Sequence, residues 1–244
     1  MQRYDFQVKR LSESILNNRF STALQRKHGI VRSSCTFVPM PDIARLSFPE
    51  GHELSFWQFD DQHESLDERI PFSEKDLEES KGLNHSKRIR EWLASRAALR
   101  IGLGINEEVL YHPNGKPYLP SSELSFSHCL PIAGALVHPE RAGMDIQLPN
   151  PKLEVISKKF AHPEELVRAN ESGATLDYLT ILWSAKEAVF KVYGENFQFS
   201  VDLRVDPFQV GDSSLSMETR VEGNWKSHSL RCFRILEHWV VVVL

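Results

Sequence analysis

Apolar and polar positions alternate in blocks that change period along the chain. The run from Leu54 to Phe59, LSFWQF, is short, aromatic and bounded by polar residues, which predicts a buried strand. FSEKDLEES then opens as a short helix with Ser73 as its N-cap and acids in its first turn. From Ser86 to about Leu103, the residues Ile89, Trp92, Leu93, Ala97 and Leu103 recur at helical spacing, and Gly102 and Gly104 mark the end. Asn114-Gly115 signals a turn, with Lys116-Pro117 leading out of it. The apolar runs IAGALV and AGMDIQ flank a charged turn at 138–141 and predict a β-hairpin. A second helix is predicted over Thr175–Tyr193, with Leu176, Leu179, Leu182, Trp183, Phe190 and Tyr193 on its buried side and Gly194 at C′. The remainder alternates strands and turns and closes on HWVVVVL.

The order strand, helix, strands thus occurs twice, although no sequence repeat is visible. It predicts an α+β fold in which two similar subdomains, each a small, mainly antiparallel sheet on a long helix, are related by a pseudo-two-fold. Residues 50–139 form the first subdomain and 140–244 the second. Residues 1–49 are polar, with a weakly amphipathic stretch from Leu11 to Leu24, and read as an N-terminal extension.

Bulk properties narrow the class. The 244 residues suffice for one large or two small cores. A formal net charge of −4 argues against a general nucleic-acid binder. Cys35, Cys129 and Cys232 are odd in number and far apart, which excludes a zinc ribbon and suits a reducing compartment. The N-terminus lacks the apolar core of a secretory signal, and no apolar run is long enough for a membrane span. A cytoplasmic monomer with no membrane partner is the expectation.

Three segments carry candidate chemistry. Glu187 and Lys191 stand at i and i+4 on the second helix, sharing one face, with Trp183 and Phe190 as anchors; the plain reading is a surface ion pair. Asp145 and Gln147 share one face of a strand, and Asp is a poor strand former that asks for a reason. Ser127, His128 and Lys116 could bind a phosphate; equally, His128 could be a core histidine and NGKP an ordinary turn. His128 and Cys129 are strand neighbours on opposite faces, so they form no catalytic dyad.

The ordered set GKP, SxSH, GxDxQ and WxxKExxxK resembles the 4′-phosphopantetheinyl transferase superfamily, in its longer surfactin-type and bacterial holo-acyl-carrier-protein-synthase-like members. The helix RIREWLASRAALR is similar to that family's N-terminal helix, and the resemblance runs from about Leu54 to the C-terminus. It implies transfer of 4′-phosphopantetheine from coenzyme A to a serine of an apo acyl or peptidyl carrier protein, with Mg²⁺ (or Mn²⁺) as cofactor and 3′,5′-ADP as product. It also implies a place in fatty acid or secondary-metabolite biosynthesis. Asp145, Gln147 and Glu187 match the metal-ligand positions of the second subdomain. Glu187 and Lys191 match catalytic positions. Lys116, Ser127, His128 and Lys186, with Arg88 or Arg90, match coenzyme A contacts. Arg96 and Arg100 belong to the basic helix expected to meet the acidic carrier. Gln147 departs from the family's usual second acid and makes the site less negative. The alternative functions are a non-catalytic coenzyme A or carrier-binding module and a metal-dependent phosphohydrolase.

Overall fold

The computed structural model describes residues 42–58, 70–194 and 197–244. The amphipathic stretch Leu11–Leu24 lies outside them. The strands form two antiparallel sheets. Sheet 1 is built from β1 (Asp42–Ser47), β2 (Glu53–Gln58), β3 (Leu110–Tyr111), β4 (Pro117–Leu119), β5 (Ser122–Cys129) and β6 (Ile132–His138), in the order β1-β2-β6-β5-β4-β3. Sheet 2 holds β7 (Met144–Gln147), β8 (Leu203–Val205), β9 (Ser214–Val221), β10 (Asn224–Ile235) and β11 (His238–Val243), in the order β7-β11-β10-β9-β8. The helices are α1 (Glu74–Lys81), α2 (Ser86–Ala97), α3 (Lys152–Phe160), α4 (Pro163–Glu171), α5 (Thr175–Tyr193) and the short α6 (Phe199–Asp202).

The layers follow from three apolar clusters. Leu54, Phe56, Ile132 and Leu136 of sheet 1 meet Met144, Ile146, Val240 and Val242 of sheet 2, so the sheets pack face to face. Leu93, Ala97 and Leu99 of α2 and the turn after it cover the outer face of sheet 1 with Leu124, Ala133 and Ala135. Leu182, Ala185 and Val189 of α5 cover the outer face of sheet 2 with Met217, Val241 and Val243. The α+β fold expected from the sequence is the one observed.

Local chemistry explains the elements. Ser73 accepts from the Asp76 N–H at 3.1 Å, and Asp76 accepts from the Ser73 N–H at 3.0 Å, closing a capping box on α1. Beyond Ala97 the ladder widens into a π-helical turn, Ala98–Gly102, with the Leu103 N–H reaching Ala98 O at 3.1 Å. Ser55 of β2 donates to that same carbonyl at 2.9 Å, and a Cβ on Gly102 would lie 1.7 Å from the Ser55 hydroxyl. Gly194 ends α5 with a φ of 64°.

One expectation fails. β6 and β7 do not form a hairpin, because both edges of β6 are already taken, by β2 and β5. The chain instead crosses between the sheets at 139–143, and β7 pairs with β11. β1 lies inside the stretch 1–49 that the sequence left as an extension, and it pairs antiparallel with β2.

Candidate active site

The site forms where β5 of sheet 1 meets β7 of sheet 2. As an edge strand, β7 turns N–H groups away from β11, and β5 satisfies them with hydroxyls. Ser125 Oγ accepts from Met144 N at 3.2 Å, and Ser127 Oγ accepts from Ile146 N at 3.0 Å. The same Ser127 hydroxyl donates to Asp145 Oδ1 at 3.0 Å and accepts from Lys191 Nζ at 3.1 Å. Its one donor and two acceptor sites are therefore all engaged.

α5 brings Lys191 to this junction. Its ammonium donates to Asp145 Oδ1 and to Met144 O, both at 2.9 Å. The helix can come this close because β7 is preceded by glycine: a Cβ on Gly143 would fall 2.2 Å from Ala188 O and 2.5 Å from Val192 Cγ2. Lys191 thus pairs across the sheet junction with Asp145, and the simple Glu187–Lys191 surface pair is not what forms. Asp145 is buried, and while Oδ1 is held by Lys191 and Ser127, Oδ2 is buried with no hydrogen-bond partner among the described residues.

Glu187 stands one turn before Lys191. Burial pushes its carboxyl above the ordinary range; the Asp145 charge pushes it the same way, and Lys191 opposes both. A buried carboxyl raised by its neighbour's charge, beside a carboxylate with an orphaned buried oxygen, forms a donor set that favours a cation. Gln147 follows on β7, its amide N–H reaching Leu148 O at 3.4 Å, so its carbonyl is the group left to ligate. Among the described residues no three His, Cys, Asp or Glu side chains cluster for a metal. Two carboxylates and an amide suit Mg²⁺, which keeps waters and shares substrate oxygens, and do not suit an all-protein cage.

His128, at the end of β5, is exposed on the α2 side of sheet 1. Its Nδ1 lies 3.6 Å from Glu91 Oε1. Burial lowers the ring's affinity for a proton; Glu91 and Asp145 raise it, and Lys191 and Lys87 lower it. Beside it, at the start of α2, opens a cavity of about 500 Å³ lined by Gly82, Leu83, Asn84, His85, Lys87, Arg88 and Glu91. Arg88 lines it and Arg90 does not.

Four other expected site residues are placed elsewhere. Lys186 is fully buried, with its three N–H donors on Glu165 Oε2 at 2.6 Å, Phe160 O at 2.8 Å and Phe199 O at 3.1 Å. One residue along a helix turns the side chain about 100°, so Lys186 faces α3 and α4 while Glu187 faces the site. It is a structural ion pair and not a coenzyme A contact here. Lys116 is also engaged: its ammonium bonds Val192 O at 2.9 Å and Glu123, tying the Asn114–Lys116 turn to the C-terminus of α5. Arg96 and Arg100 are buried against Asp76, with Arg96 also on Glu79 at 2.6 Å. The carrier-contact expectation for this pair is corrected: they face α1 and present no charge to a partner.

The sequence reading missed Glu91 and the exposed face of α3. Glu91 had a signal, being the only acid in the basic stretch 86–103.

Residues 141–243, which span β7 through β11 and include α5, match the family model for the 4′-phosphopantetheinyl transferase superfamily. No curated protein matches the chain. The match covers less than half of the chain and agrees with the resemblance carried by the motifs.

Proposed function

From this superfamily match and the geometry of Asp145, Glu187 and Lys191, we propose that the protein transfers 4′-phosphopantetheine from coenzyme A to a serine of an apo carrier protein in a Mg²⁺-dependent reaction. The observation that carries the reading is the orphaned, buried Asp145 Oδ2 beside a second carboxylate, Glu187. Asp145, Glu187 and the Gln147 carbonyl would hold the ion. When bound, Mg²⁺ supplies charge neutralisation for the pyrophosphate under attack.

The chain's own residues do the rest. Glu187 accepts the proton of the carrier serine, directly or through water. The serine oxygen bonds the β-phosphorus of coenzyme A, and the bond to 3′,5′-ADP breaks with its electrons on the departing phosphate. Lys191 stabilises that charge while holding Asp145 in place. His128 and the cavity at the start of α2, with His85, Lys87 and Arg88, receive the 3′-phosphate end of coenzyme A.

The carrier docks on α3, which follows the metal-binding strand directly. There Val155 is 85% exposed, and Lys152, Lys158 and Lys159 flank it at i−3, i+3 and i+4, with Leu148 nearby in sequence. An exposed apolar residue ringed by lysines fits an acidic amphipathic helix.

The test is intact-protein mass spectrometry of an apo acyl carrier protein incubated with the protein, coenzyme A and Mg²⁺. A mass gain of one phosphopantetheine, abolished by chelator, is the expected result. Binding of coenzyme A with no transfer to several carriers would favour a non-catalytic binding module, and free phosphopantetheine in solution a hydrolase.

A further inference from the structure

The cavity at the start of α2 contains one group that does not suit an anion. Its other ionisable lining residues are His85, Lys87 and Arg88, yet Glu91 is a carboxylate with only 16% of its side chain exposed. A carboxylate there weakens phosphate binding by repulsion unless it organises something that binding needs. Its oxygen Oε1 lies 3.6 Å from Lys87 Nζ, one turn back on α2, and 3.6 Å from His128 Nδ1, at the end of β5. One atom therefore bridges the helix to the strand.

The two imidazole nitrogens lie on opposite edges of the ring. With Nδ1 turned to Glu91, Nε2 points away from it. The other charges whose fields reach the ring are Asp145 and Lys191 of the active site and Lys87 of the cavity rim. The His128 ring, tied to the cavity through Glu91, feels the charges of both the cavity rim and the catalytic junction, the two places a ligand spanning them would join. Glu91 fixes which edge of the ring that ligand meets.

We propose that Glu91 is a positioning residue for coenzyme A: its carboxylate holds the His128 ring and the Lys87 ammonium as one anion-binding edge and so sets selectivity for the 3′-phosphate. This rests on the function proposed above. The selectivity arises indirectly. Glu91 repels the phosphate slightly, but the imidazole N–H and the Lys87 ammonium it aligns attract it more, because a pre-positioned donor loses less rotamer freedom on binding.

The experiment compares wild type, Glu91→Gln, Glu91→Asp and His128→Ala with coenzyme A and with dephospho-coenzyme A, which lacks the 3′-phosphate. Glu91→Gln is expected to raise KM for coenzyme A about fivefold with kcat unchanged, consistent with losing a partly exposed ion pair. KM for dephospho-coenzyme A should move by less than about twofold, and Glu91→Asp should recover most of the loss. In the His128→Ala background, Glu91→Gln should add little, because the two act as a unit. Equal losses for both substrates, a fall in kcat alone, or full additivity with His128→Ala would overturn the proposal. Calorimetric binding of 3′,5′-ADP against 5′-AMP to the same variants gives a readout independent of transfer. Selective loss of 3′,5′-ADP affinity in Glu91→Gln, in a protein that transfers nothing, would sustain Glu91's role and refute the transferase reading. Unchanged selectivity in an active enzyme would do the reverse.

Discussion

Replacing Lys186 by methionine separates what its place in the motif implies from what its environment does. The side chain is fully buried, and burial draws its ammonium from 10.5 down to about 8, against the pull of Glu165, so it remains charged at neutral pH. Methionine keeps the volume but removes the ammonium from Glu165 and leaves the carbonyls of Phe160 and Phe199 without their donor. Glu165 is itself buried and keeps only the N–H groups of His162 and Val205. Removing one partner of a buried pair costs about 3–5 kcal/mol. For a chain of this length each kcal/mol lowers Tm by roughly 2–4 °C, so a drop of roughly 10 °C is expected in differential scanning calorimetry. At a temperature where the variant is folded, KM for coenzyme A should equal that of wild type. The double variant Lys186→Met, Glu165→Leu should regain much of the lost Tm, because no uncompensated charge remains. A Lys186→Met protein with native Tm and a raised KM for coenzyme A would refute the reasoning and return this lysine to the substrate.

Three further outcomes follow from the site and from the buried histidines. Glu187→Gln should lower transfer by roughly 10²–10⁴-fold with an unchanged far-ultraviolet spectrum and Tm, measured by carrier mass gain; an active variant would remove Glu187 from the mechanism. Lys152, Lys158 and Lys159 replaced together by serine should raise KM for an acidic carrier, with the gap closing as salt rises. Arg96 and Arg100 variants should lose stability instead, and a lysine variant whose KM equals that of wild type, or differs from it by a gap that salt does not close, would discard the α3 surface. His52 and His228 are buried and held near a pKa of about 4, burial being the main cause, with Arg141 acting on both. Each is neutral in the folded state but takes up a proton on unfolding below about 6.5, so stability falls as pH drops from 6.5 towards 4. The loss is about 2 kcal/mol per ring at pH 5. Denaturant midpoints at pH 7.5 and pH 5 measure it, and equal midpoints would contradict it.

Much of the local structure was legible because it is set within a few residues. Periodicity marked α2 and α5, Ser73 marked the start of α1, and Gly194 marked the end of α5, since each is decided by helical spacing or by one backbone conformation. The short helices α3 and α4 went unread, as did β1. The motif residues were likewise legible as a set. What the sequence could not carry was direction. The supposed hairpin of β6 and β7 looked local, but pairing depends on which edges are free, and β6 had none.

Side-chain roles divided the same way. Lys186 and Glu187 are neighbours in one motif, and only the packing of α5 between sheet 2 and the α3–α4 pair sends one to a buried ion pair and the other to the site. Arg96 and Arg100 look like a basic face until α1 brings Asp76 to them. By itself the sequence determined residue types, helical registers and the chemistry those residues are capable of, because these depend on covalent structure and near neighbours. The tertiary structure alone decided which charges are compensated. Burial and pairing are set by groups far apart in the chain: Asp145 receives Lys191 from 46 positions away, and its second oxygen is buried with no hydrogen-bond partner among the described residues.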